Sequence, residues 1–112
     1  MKNYALGRLK RGVMNKTEEA YARLLRDRQL AGEIAWYEFE GVKLRLADST
    51  FYSPDFAVML ASGELQMHEV KGFWTDDAKV KIKVAANKFP FHFIAAYPRK
   101  KSEGGGWIFQ EF

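Results

Sequence analysis

The chain is 112 residues long, which is typical of one domain with a single, modest core. Its 47% hydrophobic and 15% aromatic residues exclude a disordered chain, and the absence of cysteine excludes disulfides and cysteine-ligated zinc and favours the cytoplasm. The net charge of +4 comes with clustered basic residues, which suit a nucleic acid but also an ordinary solvated surface. No apolar run could cross a bilayer and no signal peptide is visible, so no membrane partner is expected.

The first predicted elements are an arm and a helix. Residues 1–14 are basic, contain two glycines and show no clear period, so we interpret them as an N-terminal arm. Asn15 can cap a helix, with Glu18 three residues later as its capping-box partner. Apolar side chains then recur at helical spacing to about Leu30, and Gly32 is the glycine that ends the helix.

Strand patterns follow the helix. Segments 33–40 and 42–47 are rich in aromatic and β-branched residues, and residues 48–50 form a turn. Residues 55–60 are apolar on both faces, as in a central strand. A tight turn at 61–64 leads to a predicted antiparallel partner strand over 65–71.

The segment 75–89 fits two patterns. Its stretch AKVKIKV alternates like a strand, but Thr75 can cap a helix and the acids after it suit the positive end of a helix dipole, so a helix is favoured. Strands are predicted over 91–97 and 107–112, with a Gly-rich basic loop at 98–106 between them. We therefore expect one domain over residues 1–112, an α/β fold with a mixed central β-sheet flanked by helices.

Three charged residues lie in the two most core-like strands, although charged side chains are rarely buried unless they are paired or bind something. Asp55 and Glu69 are roughly equidistant from the turn at 61–64, so they should face each other across the hairpin. Glu69 and Lys71 share a strand face, because side chains repeat every two residues. Asp55, Glu69 and Lys71 should therefore converge at the end of the sheet far from the turn.

Such a cluster suits a particular chemistry. Two carboxylates at one point repel each other unless a cation joins them, and oxygen ligands suit Mg²⁺ or Mn²⁺. The ion can polarise a phosphate, while the lysine orients the attacking water or stabilises charge, which is what phosphodiester hydrolysis requires. The alternative is a buried salt bridge of Lys71 with Asp55 or Glu69, kept for structure alone.

Glu18 is a further candidate. It shares a helix face with Tyr21 and Leu25, three and seven residues later, so it should point toward the core, whereas Glu19 lies on the solvated face. Glu18 either closes the capping box alone or also adds an acid to the site, and both roles can hold at once.

These residues resemble a known nuclease pattern. Pro54–Asp55 followed by Glu69–Val70–Lys71 resembles the PD-(D/E)XK nuclease motif. The segments NKTEEAY, YSPDF, HEVKGFW and KIKVAA more closely resemble a family of small phage-encoded, endonuclease-like proteins assigned to that superfamily. The resemblance covers nearly the whole chain and implies a restriction-endonuclease-like core of order α-β-β-β-α-β from about Asn15 to Tyr97.

The resemblance also implies a function and its residues. It implies a Mg²⁺- or Mn²⁺-dependent DNA endonuclease in the host cytoplasm. Selectivity for DNA structure, in phage recombination or processing, is suggested by analogy alone. Asp55 and Glu69 would bind the metal, assisted by the Val70 carbonyl. Lys71 would act on the attacking water, and Glu18 would be a further metal ligand or support the ligands. A homodimer is expected if both strands are cut.

Several basic side chains are candidates for contacts with the DNA backbone, and the alternative for each lysine of the second helix is an ordinary solvated face. Lys79 and Lys83 share one face of the second helix, and the loop after the next strand carries Arg99, Lys100 and Lys101. His68 lies on the strand face opposite Glu69 and is interpreted as a packed or surface histidine.

Two other functions remain open at this point. A non-catalytic nucleic-acid-binding protein of the same fold would not need all three converging charges. A structural or partner-binding phage protein would leave them unexplained.

Overall fold

The computed structural model describes residues 12–112, so the predicted N-terminal arm lies outside the described residues except for its last three positions. Two α-helices and seven strands make up the described chain. They are α1 (Lys16–Leu30), β1 (Ile34–Phe39), β2 (Leu44–Ala47), β3 (Thr50–Tyr52), β4 (Phe56–Leu60), β5 (Leu65–Val70), α2 (Asp76–Lys88), β6 (His92–Pro98) and β7 (Trp107–Glu111).

Both helices begin at the caps that the sequence predicts. The Asn15 side chain accepts a hydrogen bond from the Glu18 backbone N–H, and the Glu18 carboxylate accepts one from the Asn15 backbone N–H, which completes the capping box. Gly32 has a φ of +85°, the left-handed conformation in which glycine ends helices. The Thr75 hydroxyl accepts a hydrogen bond from the Ala78 N–H, so the ambiguous segment is a helix.

The main sheet has five strands in the order β1-β4-β5-β6-β7. All neighbours in it are antiparallel except β5 and β6, which are parallel and are joined by α2. A parallel pair needs such a crossover, whereas β4 and β5 need only the short turn between them. The expected mixed central sheet with flanking helices is confirmed.

The segment 42–52 differs from the expectation. The strand expected at 42–47 is present as β2, but it pairs with β3 in a separate two-stranded sheet, and β3 occupies the end of the predicted turn and the residues after it. Only Asp48 and Ser49 make the turn, with Ser49 at a φ of 55°. β3 was not predicted because three residues are too few to show a strand period.

Each face of the main sheet has its own core. On one face α1 packs against the sheet, with Tyr21, Leu25, Phe56 and Val70 in that core. On the other face α2 and the β2–β3 pair form a core that includes Tyr52, Met67, Ile82 and Phe93. Adjacent residues of β5 therefore enter opposite cores, because strand side chains alternate. Within residues 12–112 neither helix has the length and apolarity needed to cross a membrane.

Candidate active site

Asp55 and Glu69 lie opposite each other at the end of the β4–β5 hairpin. The strand register pairs Phe56 with His68, so Asp55, one residue earlier, faces Glu69, one residue later. The Val70 backbone N–H donates to Asp55 Oδ2 at 2.8 Å, which ties the carboxylate to the neighbouring strand. The structure thus places the two acids face to face, as the hairpin geometry predicts.

Glu69 is only 6% exposed, and both of its carboxylate oxygens have partners. The Tyr52 hydroxyl donates to Oε1 at 2.5 Å, and Lys71 Nζ lies 3.3 Å from Oε2. The same ammonium lies 5.4 Å from the centre of the Trp74 ring, close enough for a cation–π contact. Lys71 is therefore held between a carboxylate and an indole at the end of β5.

The surroundings of Asp55 oppose its ionisation. Burial is the largest cause, and the negative charge of Glu69 adds to it, so that the pKa of Asp55 rises to about 8. The Glu18 charge acts in the same direction, whereas the Val70 N–H and the Lys71 ammonium partly offset the rise in this pKa. Two acids and one amine are thus gathered where a second positive charge would be favourable.

Glu18, in the first turn of α1, lies close enough to Glu69 and Lys71 for their charges to act on it. Burial raises the pKa of its carboxyl group, the hydrogen bond from Asn15 opposes this, and the charges of Glu40 and Glu69 raise the pKa further. The Glu18 carboxylate therefore caps its helix and also feels the charge of Glu69. The helix places Tyr21 and Leu25 in the core on the same side, as predicted, and leaves Glu19 exposed.

Sequence reasoning missed two residues that touch this cluster, Tyr52 and Glu40. The backbone N–H of Glu40 donates to the Asp55 carbonyl at 2.7 Å, and its carboxylate accepts a hydrogen bond from the Gly12 N–H at 3.0 Å. Glu40 has a φ of 51°, which is uncommon outside glycine and marks the bend that leaves β1. The adjacent Gly41 was a signal for this bend, but nothing in the sequence pairs Tyr52 with Glu69.

The donor set suits a hard divalent cation. Asp55 and Glu69 supply carboxylate oxygens, and a cation between them would relieve the repulsion that raises the pKa of Asp55. Only Oδ2 of Asp55 takes part in a hydrogen bond among residues 12–112. In that part of the chain no three Asp, Glu or His side chains form a ready-made cage, so water or phosphate would complete the coordination, as is usual for Mg²⁺.

His68 belongs to a different cluster on the opposite face. It is 1% exposed, its Nδ1 lies 2.6 Å from the Tyr21 hydroxyl, and its Nε2 lies 2.9 Å from Gln66 Oε1. The Gln66 amide oxygen can only accept, so Nε2 carries the proton and Nδ1 accepts from Tyr21. Burial lowers the pKa of His68 to about 4, which keeps the ring neutral. His68 is a packed histidine, as predicted.

The predicted DNA-contacting residues are distributed unevenly around this end of the sheet. Lys79 lies in the first turn of α2, which begins at the end of the sheet where β5 ends, whereas Lys83 lies one turn farther along, beside Asn87 and Phe112. The basic loop leaves β6 at the site end, because β6 runs parallel to β5 and the Lys71 N–H donates to the Ala96 carbonyl.

Within the basic loop, Lys100 and Lys101 are exposed. Arg99 is exposed too, but its guanidinium donates to the Glu103 carbonyl, and its backbone N–H donates to the Gly106 carbonyl at 3.0 Å. Arg99 therefore braces the loop, which leaves the two lysines as its projecting charges.

Comparisons of the chain with protein-family models, with curated proteins and with solved structures find no match. What the site can do is therefore inferred from its own residues.

Proposed function

We propose that the chain is a divalent-metal-dependent DNA endonuclease that hydrolyses phosphodiester bonds. The observation that carries this proposal is the convergence of Asp55, Glu69 and Lys71 at one end of the sheet. A salt bridge kept for structure needs one acid for its one lysine. A second acid beside it, with an ionisation that the surroundings oppose, weakens the fold unless it binds something.

Each residue has a role in this proposal. Asp55 and Glu69 would hold Mg²⁺ or Mn²⁺, and the Val70 carbonyl, between Glu69 and Lys71 in the chain, would be a third ligand. The bound ion supplies a Lewis acid for the phosphate and makes water a better nucleophile. Lys71 presents its ammonium beside Glu69, where it orients the attacking water and stabilises the charge that develops on the phosphate. Glu18 adds a further carboxylate.

The order of elements supports the proposed assignment to the PD-(D/E)XK superfamily. Without the separate β2–β3 pair and the last strand, the chain runs α1, β1, β4, β5, α2, β6. This is the α-β-β-β-α-β succession of a restriction-endonuclease-like core. Asp55 precedes the second strand of that series, and Glu69 and Lys71 stand at the end of the third, where the motif needs them.

DNA is the proposed substrate because exposed basic residues lie at the end of the sheet that holds the acidic cluster. Lys79, Lys100 and Lys101 lie at the same end of the sheet as the acids, where they can hold a phosphate backbone across the site. Selectivity for branched or nicked DNA, a place in phage recombination or processing, and a homodimer that cuts both strands belong to the same proposal.

One observation favours the alternative of a non-catalytic nucleic-acid-binding protein. Both oxygens of Glu69 already have protein partners, so the carboxylate is satisfied without a metal. In that case the cluster would only hold this end of the sheet together. The two functions differ in whether the bound DNA is cut.

A cleavage assay separates them. Wild-type protein should cut a panel of linear, nicked, flapped and branched DNA in Mg²⁺ or Mn²⁺ and should not cut in EDTA. Asp55→Ala and Lys71→Ala should still bind the same DNA without cutting it. Glu19→Ala, which removes an exposed acid of α1, should cut normally. Wild-type protein that binds every substrate and cuts none would establish the binding protein instead.

A further inference from the structure

The β2–β3 pair lies outside the main sheet, yet it sends one side chain to the proposed active site. Tyr52, the last residue of β3, is 8% exposed, and its ring packs beside Phe93 with the ring centres 6.5 Å apart. Its hydroxyl donates to Glu69 Oε1 at 2.5 Å. A buried tyrosine hydroxyl needs a hydrogen-bond partner, and the partner of Tyr52 is the Glu69 carboxylate, which is also a proposed metal ligand.

We propose that Tyr52 is a positioning residue that holds the Glu69 carboxylate in the orientation in which it binds the cation. This inference rests on the proposed function. Lys71 Nζ lies 3.3 Å from the other oxygen of the same carboxylate. With Oε1 held by Tyr52, only Oε2 faces the lysine. Without the hydroxyl, the carboxylate can rotate to give both oxygens to the ammonium, and this closed ion pair competes with the cation.

The hydroxyl is suited to this task because it remains a donor. A tyrosine hydroxyl is an uncharged donor at neutral pH, so it can donate to Glu69 Oε1 without competing with the cation as a second charge. The hydrogen bond can therefore stay in place whether or not a cation is bound. Hydrogen bonds to metal-binding side chains typically strengthen metal binding about 10- to 100-fold.

The backbone places Tyr52 close to Asp55, and its hydroxyl links it to Glu69. Tyr52 pairs with Leu44 across the β2–β3 pair, and only Ser53 and the buried Pro54 separate it from Asp55. One short segment thus carries the first acid and the hydroxyl that orients the second. The β2–β3 pair is therefore part of the active site, although it contributes no group of the nuclease motif.

Tyr52→Phe tests this inference because it keeps the ring in the core and removes only the hydroxyl. Mn²⁺ binding measured by calorimetry should become about 10- to 100-fold weaker. DNA cleavage should require correspondingly more Mn²⁺ and should approach the wild-type rate at saturation. Tyr21→Phe is the matched control, since it also removes a buried hydroxyl, one that contacts His68 on the opposite face. It should leave Mn²⁺ affinity unchanged.

The outcomes separate this inference from the proposed function. Unchanged Mn²⁺ affinity in Tyr52→Phe, with wild-type protein that binds Mn²⁺ and cuts DNA, overturns the role of Tyr52 alone. Wild-type protein that neither binds Mn²⁺ nor cuts DNA overturns both. An equal loss of affinity in Tyr21→Phe assigns the effect to general loosening and also overturns the role of Tyr52. Both variants are measured at a temperature at which their melting curves show them folded.

Discussion

His68 and Glu69 are neighbours in β5, and both are buried, but their surroundings differ completely. His68 faces α1, where a hydroxyl and an amide occupy its two ring nitrogens and the ring is neutral. Glu69 faces α2 and the β2–β3 pair, where it shares a small space with Asp55 and Lys71. The hydrogen bonds of His68 are all made within the core, whereas Glu69 lies beside a second carboxylate with only one amine between them.

The difference separates a structural polar cluster from a functional one. A buried polar group whose hydrogen bonds are all made adds specificity to a core and needs no ligand to complete it. An acid such as Asp55, whose ionisation the fold opposes, costs stability, and such a cost is typical of positions used for binding or chemistry. The first two predictions test each cluster by a change that preserves its shape.

Asp55→Asn should have the largest effect. The amide keeps the volume and can still accept the hydrogen bond from the Val70 N–H, but it removes the charge that the site opposes. Cleavage should fall to the background of the assay. Stability at pH 9 without metal should rise by about 1–3 kcal/mol, because Asp55 is ionised at that pH although its raised pKa shows that the fold disfavours the charge. Urea unfolding in EDTA measures the stability, and a variant that is less stable than wild type would contradict the assignment of Asp55 as a strained site.

Tyr21→Phe should do the reverse. It leaves the buried Nδ1 of His68 without its donor, which costs about 1–3 kcal/mol of unfolding free energy. The cleavage rate of the folded protein should not change, because this hydroxyl lies on the opposite face of the sheet from the acids. A loss of cleavage that exceeds the loss of folded protein would show that the two clusters are coupled.

The sequence predicts the functional cluster better than the surroundings that complete it. Local signals locate the acids: the turn at 61–64 sets the register of β4 and β5, and the period of two places Glu69 and Lys71 on one face. Tyr52 could not be predicted in the same way. The β2–β3 pair reaches Glu69 through packing against a sheet to which it does not belong, and such a contact has no local signal.

The helix caps and the basic loop show the same contrast between local signals, which the sequence carries, and packing contacts, which it does not. Asn15 and Thr75 carry capping signals in the residues themselves, so both helix starts were predictable. The bond from Arg99 to the Glu103 carbonyl was not, because a basic residue in a Gly-rich loop looks the same whether it braces the loop or projects from it.

The pH dependence of stability should distinguish the two clusters by sign. The pKa of Asp55 is about 8 in the folded chain against 3.8 ordinarily, so the folded state binds more protons between these values and stability falls as pH rises through them. The raised pKa of Glu18 acts in the same direction. The pKa of His68 is about 4 against 6.5, so here the unfolded state binds more protons and stability rises with pH over that window.

Melting curves from pH 4 to pH 9 measure the combined effect of these groups on stability. In EDTA, the two opposing contributions should nearly cancel up to about pH 6.5, and stability should then fall toward pH 8. Asp55→Asn should remove this fall and leave a rise at acidic pH. Mg²⁺ should also remove the fall in the wild type, because the cation stabilises the ionised acids. A wild-type fall above pH 6.5 that persists in Asp55→Asn would place its cause outside the cluster.

The smallest effect is expected from the basic loop. Lys100 and Lys101 project from it at the end of the sheet that holds the acids, so the double substitution Lys100→Ala/Lys101→Ala should weaken DNA binding. The slope of log affinity against log salt should become shallower by about 0.9 for each lost contact with duplex phosphate. The rate of cleavage at saturating DNA should change little, because neither lysine touches the acids.

Arg23→Ala/Arg26→Ala is the matched control, since both arginines are exposed on α1, beyond its first turn at the site. It removes the same charge from the chain and should leave the salt slope unchanged. An equal change in both double variants would mean that DNA responds to the overall charge rather than to the loop. A change confined to the loop variant would place the DNA path at the end of the sheet that holds Asp55 and Glu69. Only there can the lysines and the proposed metal ligands contact the same DNA backbone.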